Sequence, residues 1–328
     1  MLWIDHEHKL MHACPAAVLA AGLLLGVSPS HGQQLYTSTF QHRLELAADG
    51  LLQLVNVSGD ITVTGTSGRV VRIRAVKQVQ NHPAAAAAAL LESLAIEVDA
   101  HGDTVEVRTR HPSAEEIQRT GGSDLTQLGV TFTVEVPGDV TVNLRTTSGN
   151  IHISGMKGDA NLETVNGHIT TRDVGGGVVA GSVRGDITIV EVGRGADANT
   201  VSGNIVLTDV DEHIRATCIS GDITISGGDL VEVWANNTGG NIHCDVAVKS
   251  GGRYQLTSHS GNIDFIARDE GGFQVSLSTV SGSISVPLEL TLTGARTSRR
   301  SLMGIYRQPD ASVELTAFSG DITLITVP

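Results

Sequence analysis

The chain has 328 residues, of which only 17% are charged, and a formal net charge of −13 at pH 7. An acidic chain repels phosphate groups, so this balance argues against DNA, RNA or anionic lipid as a partner. The composition, which includes 38 glycines, favours an extracellular protein that does not bind nucleic acid.

The first 32 residues are predicted to be a signal peptide. An apolar run from Ala16 to Val27 precedes the small residues Ser30 to Gly32, which predicts cleavage before Gln33. Twelve apolar residues are too few to span a bilayer, so no transmembrane segment is expected. Translation starts at Met1 or at Met11, and the sequence leaves this choice open.

Residues 33–140 are predicted to form a β-rich capping region with one short helix. Strands are expected at 44–57, 61–76, 104–110 and 130–136, and a helix that starts at a proline is expected near 83–95. The segment 111–127 is predicted to be a loop. A solenoid has to cover the exposed edge strands at its ends, so this region is expected to cap one end.

Residues 141–328 contain a repeated phrase, Ser-Gly-Asp/Asn-Ile-x-Ile, with a period of eighteen residues over its first five copies. An outlying copy, VSGDITV, occupies 57–63. Periods of this size are typical of proteins in which each unit buries its apolar face only by stacking on its neighbours. The glycines that mark the strict period are Gly149, Gly167, Gly185, Gly203 and Gly221.

Overlaying the repeats aligns residue types in columns. Two positions after each glycine stands an isoleucine, from Ile151 to Ile284, and the residue two further on is again mostly apolar, which is the alternation of a strand with one buried face. A second strand with small inward residues, such as Ala160 and Ala180, precedes each glycine. The fold class is therefore all-β, a β-helix-like solenoid with about 18 to 21 residues per rung.

The residue after each glycine forms a polar column that includes Asn150, Asp186, Asn204 and Asp222. Neighbouring strands lie about 4.8 Å apart, so a pure carboxylate column would repel itself. The mixture of amides and carboxylates favours a side-chain ladder that caps the turns. A calcium ladder is the alternative, although it calls for more carboxylates.

The C-terminal repeats depart from the strict period. Rungs lengthen to 19 and 21 residues near 234–286, and a basic loop near 294–310 is either a disordered excursion or a binding feature. Cys218 and Cys244 occupy columns of inward residues on different strands. Both a buried free thiol and a disulfide are compatible with these positions.

The order of parts resembles a known bacterial family. A first SGDITV strand, an alanine-rich helix, the strands GDTVEVRTR and FTVEVPGDVTV, and repeated TVSGNI units that close with an arginine-rich loop resemble the family of unknown function whose members are described as putative adhesins. Related toast-rack-like solenoids occur in envelope proteins. The resemblance covers about 40–328, and it implies a fold without supplying catalytic or binding residues.

Candidate chemistry is sparse. We assign no catalytic residue, metal site or cofactor, because no metalloprotease, Cys-x-x-Cys, nucleophile-elbow or phosphate-binding motif occurs. His243 and Asp264 are expected to be neighbours on successive rungs. Together with Trp234 and Tyr254 they are the predicted ligand-binding residues, since aromatic rings that face solvent stack on sugars.

The sequence therefore predicts a non-enzymatic, secreted or cell-envelope solenoid that acts as an adhesin or scaffold. Its expected partner is an envelope protein or a polysaccharide, and the oligomeric state stays open. An accessory or sensor domain in envelope-stress signalling is one alternative. A carbohydrate-active β-helix enzyme is the other.

Overall fold

A computed structural model describes residues 34–80, 83–119, 128–268, 271–287, 291–292, 298 and 300–327. The predicted signal peptide and its cleavage point lie outside the described residues. Two short helices, α1 (Ala84–Ser93) and α2 (Ala114–Arg119), accompany strands that form two long sheets.

Sheet A contains thirteen strands in the described part of the chain. In spatial order they are β1 (Leu35–Glu45), β4 (Val70–Gln80), β7 (Leu128–Pro137), β3 (Ile61–Thr66), β9 (Ile151–Met156), β11 (Ile169–Val174), β13 (Ile187–Val192), β15 (Ile205–Val210), β17 (Ile223–Ser226), β19 (Ile242–Ala247), β21 (Ile263–Arg268), β27 (Ile322–Val327) and β23 (Ile284–Ser285).

Sheet B contains fourteen described strands. Their spatial order is β24 (Thr291–Leu292), β25 (Ser301–Tyr306), β22 (Phe273–Ser281), β26 (Ala311–Ser319), β20 (Arg253–Ser260), β18 (Leu230–Gly239), β16 (Glu212–Ser220), β14 (Ala196–Ser202), β12 (Val178–Arg184), β10 (Ala160–Asn166), β8 (Thr141–Ser148), β2 (Leu51–Ser58), β6 (Thr104–Arg110) and β5 (Ala95–His101). Each regular rung gives one strand to each sheet, so the solenoid has two faces.

The core lies between the two sheets and is filled by the columns read from the sequence. Parallel pairing places Ile187 opposite Ile169 and Ile205, and all three side chains are fully buried. On sheet B the inward residues include small ones in the strict rungs, such as Ala180 and Ala198, beside larger ones such as Leu162. Only the last member of the isoleucine column, Ile284, is part-exposed, because it lies in the terminal rung. The all-β solenoid prediction is confirmed.

Glycine is required where each rung passes from sheet B to sheet A. Gly185 has a φ of +150°, and a Cβ at this position would overlap the carbonyl oxygen of Gly167 in the rung below. Gly203 stands in the same relation to Gly185. The backbones of successive rungs therefore approach more closely at this corner than any side chain permits.

A hydrogen-bonded ladder follows the glycine corner. The backbone N–H of Asn204 donates to Asp186 Oδ1 at 2.7 Å, and that of Asp222 donates to Asn204 Oδ1 at 2.9 Å. His168 occupies one step, where its Nδ1 accepts from the N–H of Asp186 at 3.0 Å. The side chain of each rung thus holds the main chain of the next, with amides and carboxylates as acceptors.

A second ladder, which the sequence analysis missed, lies three residues before each corner glycine from Gly167 to Gly261. Thr164 Oγ1 donates to the Gly149 carbonyl and Thr200 Oγ1 to the Gly185 carbonyl, both at 3.1 Å. Cys218 replaces a hydroxyl in this column, and its Sγ lies 3.3 Å from the Gly203 carbonyl. These buried side chains satisfy carbonyls that the glycine corner turns inward.

The order of the rungs at both ends differs from their order in the chain. At the N-terminal end, β2 and β3 lie between the rung of β6 and β7 and the rung of β8 and β9. The outlying copy at 57–63 is therefore in register with the regular repeats, and Ile61 pairs with Ile151. At the C-terminal end, β26 and β27 insert between β20 with β21 and β22 with β23.

Four local expectations were wrong. The strand predicted at 44–57 is interrupted by a turn with Asp49 at a φ of +64°. The strand predicted at 61–76 is broken at 67–69 into β3 and β4, which lie on either side of β7 in sheet A. The segment 111–127, predicted to be a loop, contains α2, whose start is capped reciprocally by Ser113 and Glu116. Within the basic loop near 294–310, Ser301–Tyr306 is a strand that pairs antiparallel with β22 and covers the end of sheet B.

Charge in the isoleucine column should unfold the stack. Ile205→Asp places an unpaired carboxylate in the core, and we expect it to cost more than about 4 kcal/mol. Thr188→Asp, on the outward side of the neighbouring strand, should cost about 1 kcal/mol. Urea denaturation followed by circular dichroism measures both, and equal losses would mean that the inward and outward faces are exchanged.

Two glycines of one rung provide a second test. Gly185→Ala should cost about 3 kcal/mol or more, because its Cβ meets the Gly167 carbonyl and its φ is unfavourable. Gly181→Ala should instead stabilise by about 0.5–1 kcal/mol, because a Cβ there meets no atom within 4 Å. Thermal unfolding compares the two, and a loss at Gly181 similar to that at Gly185 would contradict the assignment.

Candidate functional site

The structure does not bring the four predicted ligand-binding residues together. Trp234 lies on the outward side of β18 in sheet B, whereas His243 and Asp264 lie on the outward side of sheet A. Tyr254 lies in the core between the sheets and is fully buried. The four residues therefore occupy two opposite faces and the interior.

Tyr254 fills one of the longer rungs. Its hydroxyl donates to the Leu230 carbonyl at 2.9 Å and accepts from the N–H of Lys249 at 2.9 Å. Its ring packs edge-on against Phe265 at 5.9 Å, and burial raises the pKa of the phenol. The aromatic residues Phe265 and Phe273 are buried as well, so the irregular rungs contain a wider core.

His243 and Asp264 are neighbours in register on β19 and β21. Neither side chain has a hydrogen-bond or ion-pair partner among the described residues. Trp234 is half-exposed, and the guanidinium carbon of Arg215 lies 5.1 Å from the centroid of its ring. One face of the Trp234 ring is therefore already engaged by a cation–π contact.

Metal-binding and membrane-spanning features were searched over the described part of the chain. No group of three or more His, Cys, Asp or Glu side chains there is arranged to hold a metal ion. Neither described helix is long and apolar enough to cross a membrane.

A furrow runs along the outer face of sheet B. It has a volume of about 520 Å³ and crosses six strands, from β2 to β16. The first wall consists of the apolar residues that stand two positions before each corner glycine. The second wall consists of the outward residues four positions before the same glycine. The buried residues between these two columns, three positions before the glycine, form the floor. The residues are Val165, Val183, Val201 and Ile219 in the first wall, Val55, Arg145, Glu163, Gly181, Asn199 and Thr217 in the second, Asn56, Thr146, Thr164, Ser182 and Thr200 in the floor, and Thr147 at one end.

The apolar wall is exposed to an extent that packing does not require. The side chains of Val165, Val183, Val201 and Ile219 have exposed fractions of 41–46%. Beyond these four residues the column alternates between polar and apolar side chains. Thr147 separates them from Val57, and Thr238 and His259 separate them from Phe318, whose ring stacks on His259 with ring centroids 4.9 Å apart. We call the four contiguous residues the apolar ridge. Contiguous apolar surface marks interaction sites in soluble proteins.

The opposite wall is open at its centre. Gly181 stands where neighbouring rungs carry Glu163 and Asn199, and nothing lies within 4 Å of a Cβ built on it. At one end Arg145 and Glu163 form an ion pair with an N–O distance of 2.8 Å. Both groups are about half-exposed, so the pair contributes at most about 1 kcal/mol and leaves this wall without net charge.

A sequence signal for the furrow existed. The residue two before the glycine is valine or isoleucine in four consecutive strict rungs, although it falls on an outward position of the strand. The sequence analysis examined the outward column after the glycine and so missed the apolar column before it. The sequence alone does not show that stacking of the rungs turns this column into one wall of a furrow.

These features define a two-sided parallel β-solenoid with an apolar furrow on one face. Residues 176–325, a little under half of the chain, match the family described as Toastrack DUF4097. This match confirms the toast-rack resemblance over that segment. No curated protein matches the chain.

Three solved structures are similar to the chain at low identity. A putative cell adhesion protein from Clostridium sporogenes is 8% identical, with a TM-score of 0.22 over 88% of this chain and 100% of that one. A putative adhesin from Bacteroides fragilis is 11% identical, with a TM-score of 0.40 over 92% and 100%. A putative lipid binding protein from Parabacteroides distasonis is 11% identical, with a TM-score of 0.46 over 87% and 96%.

Cys218 and Cys244 are free thiols, and burial raises the pKa of each. Because the thiolate is the reactive form, we expect neither to react with a disulfide reagent at pH 8 while the protein is folded. Both should react at once in denaturant. Titration with Ellman's reagent, with and without guanidinium, measures this. Fast labelling of two thiols in the native protein, or none in the denatured one, would contradict it.

Proposed function

We propose that this protein is a non-enzymatic recognition or scaffolding protein of the bacterial cell envelope, and that it binds an envelope component along the furrow of sheet B. The observation that carries this proposal is the exposed apolar wall of the furrow. Threonine occupies the same outward column at Thr147, so valine and isoleucine are not required there by the stack, and their exposure in four consecutive rungs favours a contact surface.

Rigidity supports the same function. The furrow lies on six parallel strands that are tied by two hydrogen-bonded ladders, so its walls keep their spacing without a ligand. A preformed surface loses little conformational entropy on binding. Recognition by an extended rigid face is the usual role of solenoids.

Catalysis and sugar binding receive less support. His243 and Asp264 lie on the face opposite the furrow, away from its walls. Sugar binding calls for rings that face solvent, and three of the four Trp, Tyr and Phe residues of the longer rungs, Tyr254, Phe265 and Phe273, are buried. A polar or aromatic glycan surface on the C-terminal rungs is therefore the weaker candidate.

The proposal is tested by binding to isolated envelopes of the native bacterium. The double variant Val183→Asp, Val201→Asp adds two charges to the apolar wall and should weaken sedimentation with envelopes at least tenfold. The matched variant Thr170→Asp, Thr188→Asp adds the same charge to the outward side of sheet A and should bind like the unmodified protein. Circular dichroism verifies that both variants are folded.

Two results would overturn the proposal. One is an unmodified protein that does not associate with envelopes at any concentration. The other is equal binding by the two charged variants, which would place recognition away from the furrow.

A further inference from the structure

We infer that the outward face of sheet A, at its N-terminal end, binds the phosphate group of a phosphomonoester between Arg43, Arg72 and Arg74. This face is opposite the furrow of sheet B, so the site is independent of the function proposed for the furrow. Three properties of the described residues support it: the three arginines converge, two of them lack protein partners, and the cavity they line is positive in an acidic chain.

The three arginines come from two adjacent antiparallel strands. Arg43 of β1 lies directly opposite Arg72 of β4, and Arg74 is diagonal to Arg43. Cβ atoms are about 5 Å apart in an opposite pair and about 7–8 Å apart on the diagonal, a separation that long side chains span. All three side chains are exposed and line one cavity of about 510 Å³. The three guanidinium groups can therefore reach one bound group.

Two of these arginines lack a protein partner. Arg72 donates to Glu135 Oε2 at 2.7 Å. Neither Arg43 nor Arg74 has a hydrogen-bond or ion-pair partner among the described residues, and Glu45 at the end of β1 lies outside the cavity lining. Three arginines and one glutamate line the cavity, which gives it a formal net charge of +2 with histidine counted as neutral.

This positive charge is local in a chain whose formal net charge is −13. Charges more than about 8 Å apart are largely screened at physiological ionic strength, so an anion in the cavity responds chiefly to the groups beside it. Like charges that face each other across antiparallel strands, as Arg43 and Arg72 do, are destabilising. A bound anion removes this repulsion.

Protection of a sheet edge explains only part of the cluster. β1 is the edge strand of sheet A, and a charged residue such as Arg43 keeps an edge strand from pairing with other chains. Arg72 and Arg74 belong to β4, which is paired with β1 on one side and with β7 on the other. Their charges protect no edge, and the ion pair with Glu135 accounts for only one of them.

The number of guanidinium groups favours phosphate over carboxylate, although both anions match the fork of arginine donors. Glu135 shows what a carboxylate uses here, since Arg72 alone binds it. A phosphomonoester carries about −1.5 to −2 charges at pH 7 and three strong acceptor oxygens, which suits three arginines and a net charge of +2. Gln41 and Thr133 lie opposite Arg74 on its two sides and add an amide and a hydroxyl donor.

The test is isothermal titration calorimetry of the full protein with glycerol 3-phosphate at low salt. We expect saturable binding of one phosphate group per chain. Arg43→Gln and Arg74→Gln should each weaken binding at least fivefold. Arg172→Gln removes the same charge from the same face of sheet A, four strands or about 19 Å from β4, and should leave binding unchanged. Circular dichroism verifies that each variant is folded.

Vesicles distinguish the two sources of such a group. Phosphatidylcholine vesicles that contain phosphatidic acid present a phosphomonoester on a membrane surface. Cosedimentation with these vesicles that Arg74→Gln abolishes assigns the group to a lipid. Binding of glycerol 3-phosphate without cosedimentation assigns it to a soluble phosphomonoester. Both results support a phosphate site.

Three results would overturn the inference. The first is that glycerol 3-phosphate does not bind at low salt. The second is equally tight binding of malonate, a dicarboxylate, which would show that the cavity does not select phosphate. The third is an equal loss in Arg172→Gln and Arg74→Gln, which would mean that overall charge, and not the cavity, governs binding. All three leave the furrow untested, because its variants lie on sheet B.

Discussion

The close approach of successive backbones at the glycine corner is the constraint on which the rest of the structure depends. Gly185 lies so near the carbonyl of Gly167 that no side chain fits, and this contact recurs at each strict rung. Because the corner is fixed, every rung enters sheet A in the same register. The isoleucine column, the acceptor ladder after the glycine and the hydroxyl ladder before it all follow from that register.

The two ladders provide hydrogen-bond partners for the main-chain groups that such a corner leaves without partners in the sheets. Stacked parallel strands satisfy their own amides, but a tight turn directs carbonyls and N–H groups away from the sheets. Asp186 and Asn204 accept from the next rung outside the corner, while Thr200 donates inside it. The inner column accepts different small donors, which explains how Cys218 occupies a hydroxyl position.

At both ends of the solenoid the rungs stack in an order that differs from their order in the chain, and this has consequences for folding and stability. A solenoid that adds rungs in chain order leaves its last rung held on one side only. Here β26 and β27 pair on both sides, and the terminal rung is covered by the antiparallel strand β25. At the other end β2 and β3 are enclosed in the same manner. The pairing of these rungs needs contacts that are distant in sequence, so the end rungs are expected to form late.

The sequence by itself determined the period, the inward columns and the need for glycine at the corner, because these are repeated local constraints that eighteen-residue spacing displays directly. It also contained the capping pair of α2, Ser113 and Glu116, which went unrecognised. Only the tertiary structure decided the order of the end rungs, since repeated units pair equally well with several neighbours. It also decided the sides: Trp234 and His243 are nine residues apart in one rung, yet the corner between them sends them to opposite faces. The furrow arises in the same way, from residues eighteen apart that become a wall only when the rungs stack.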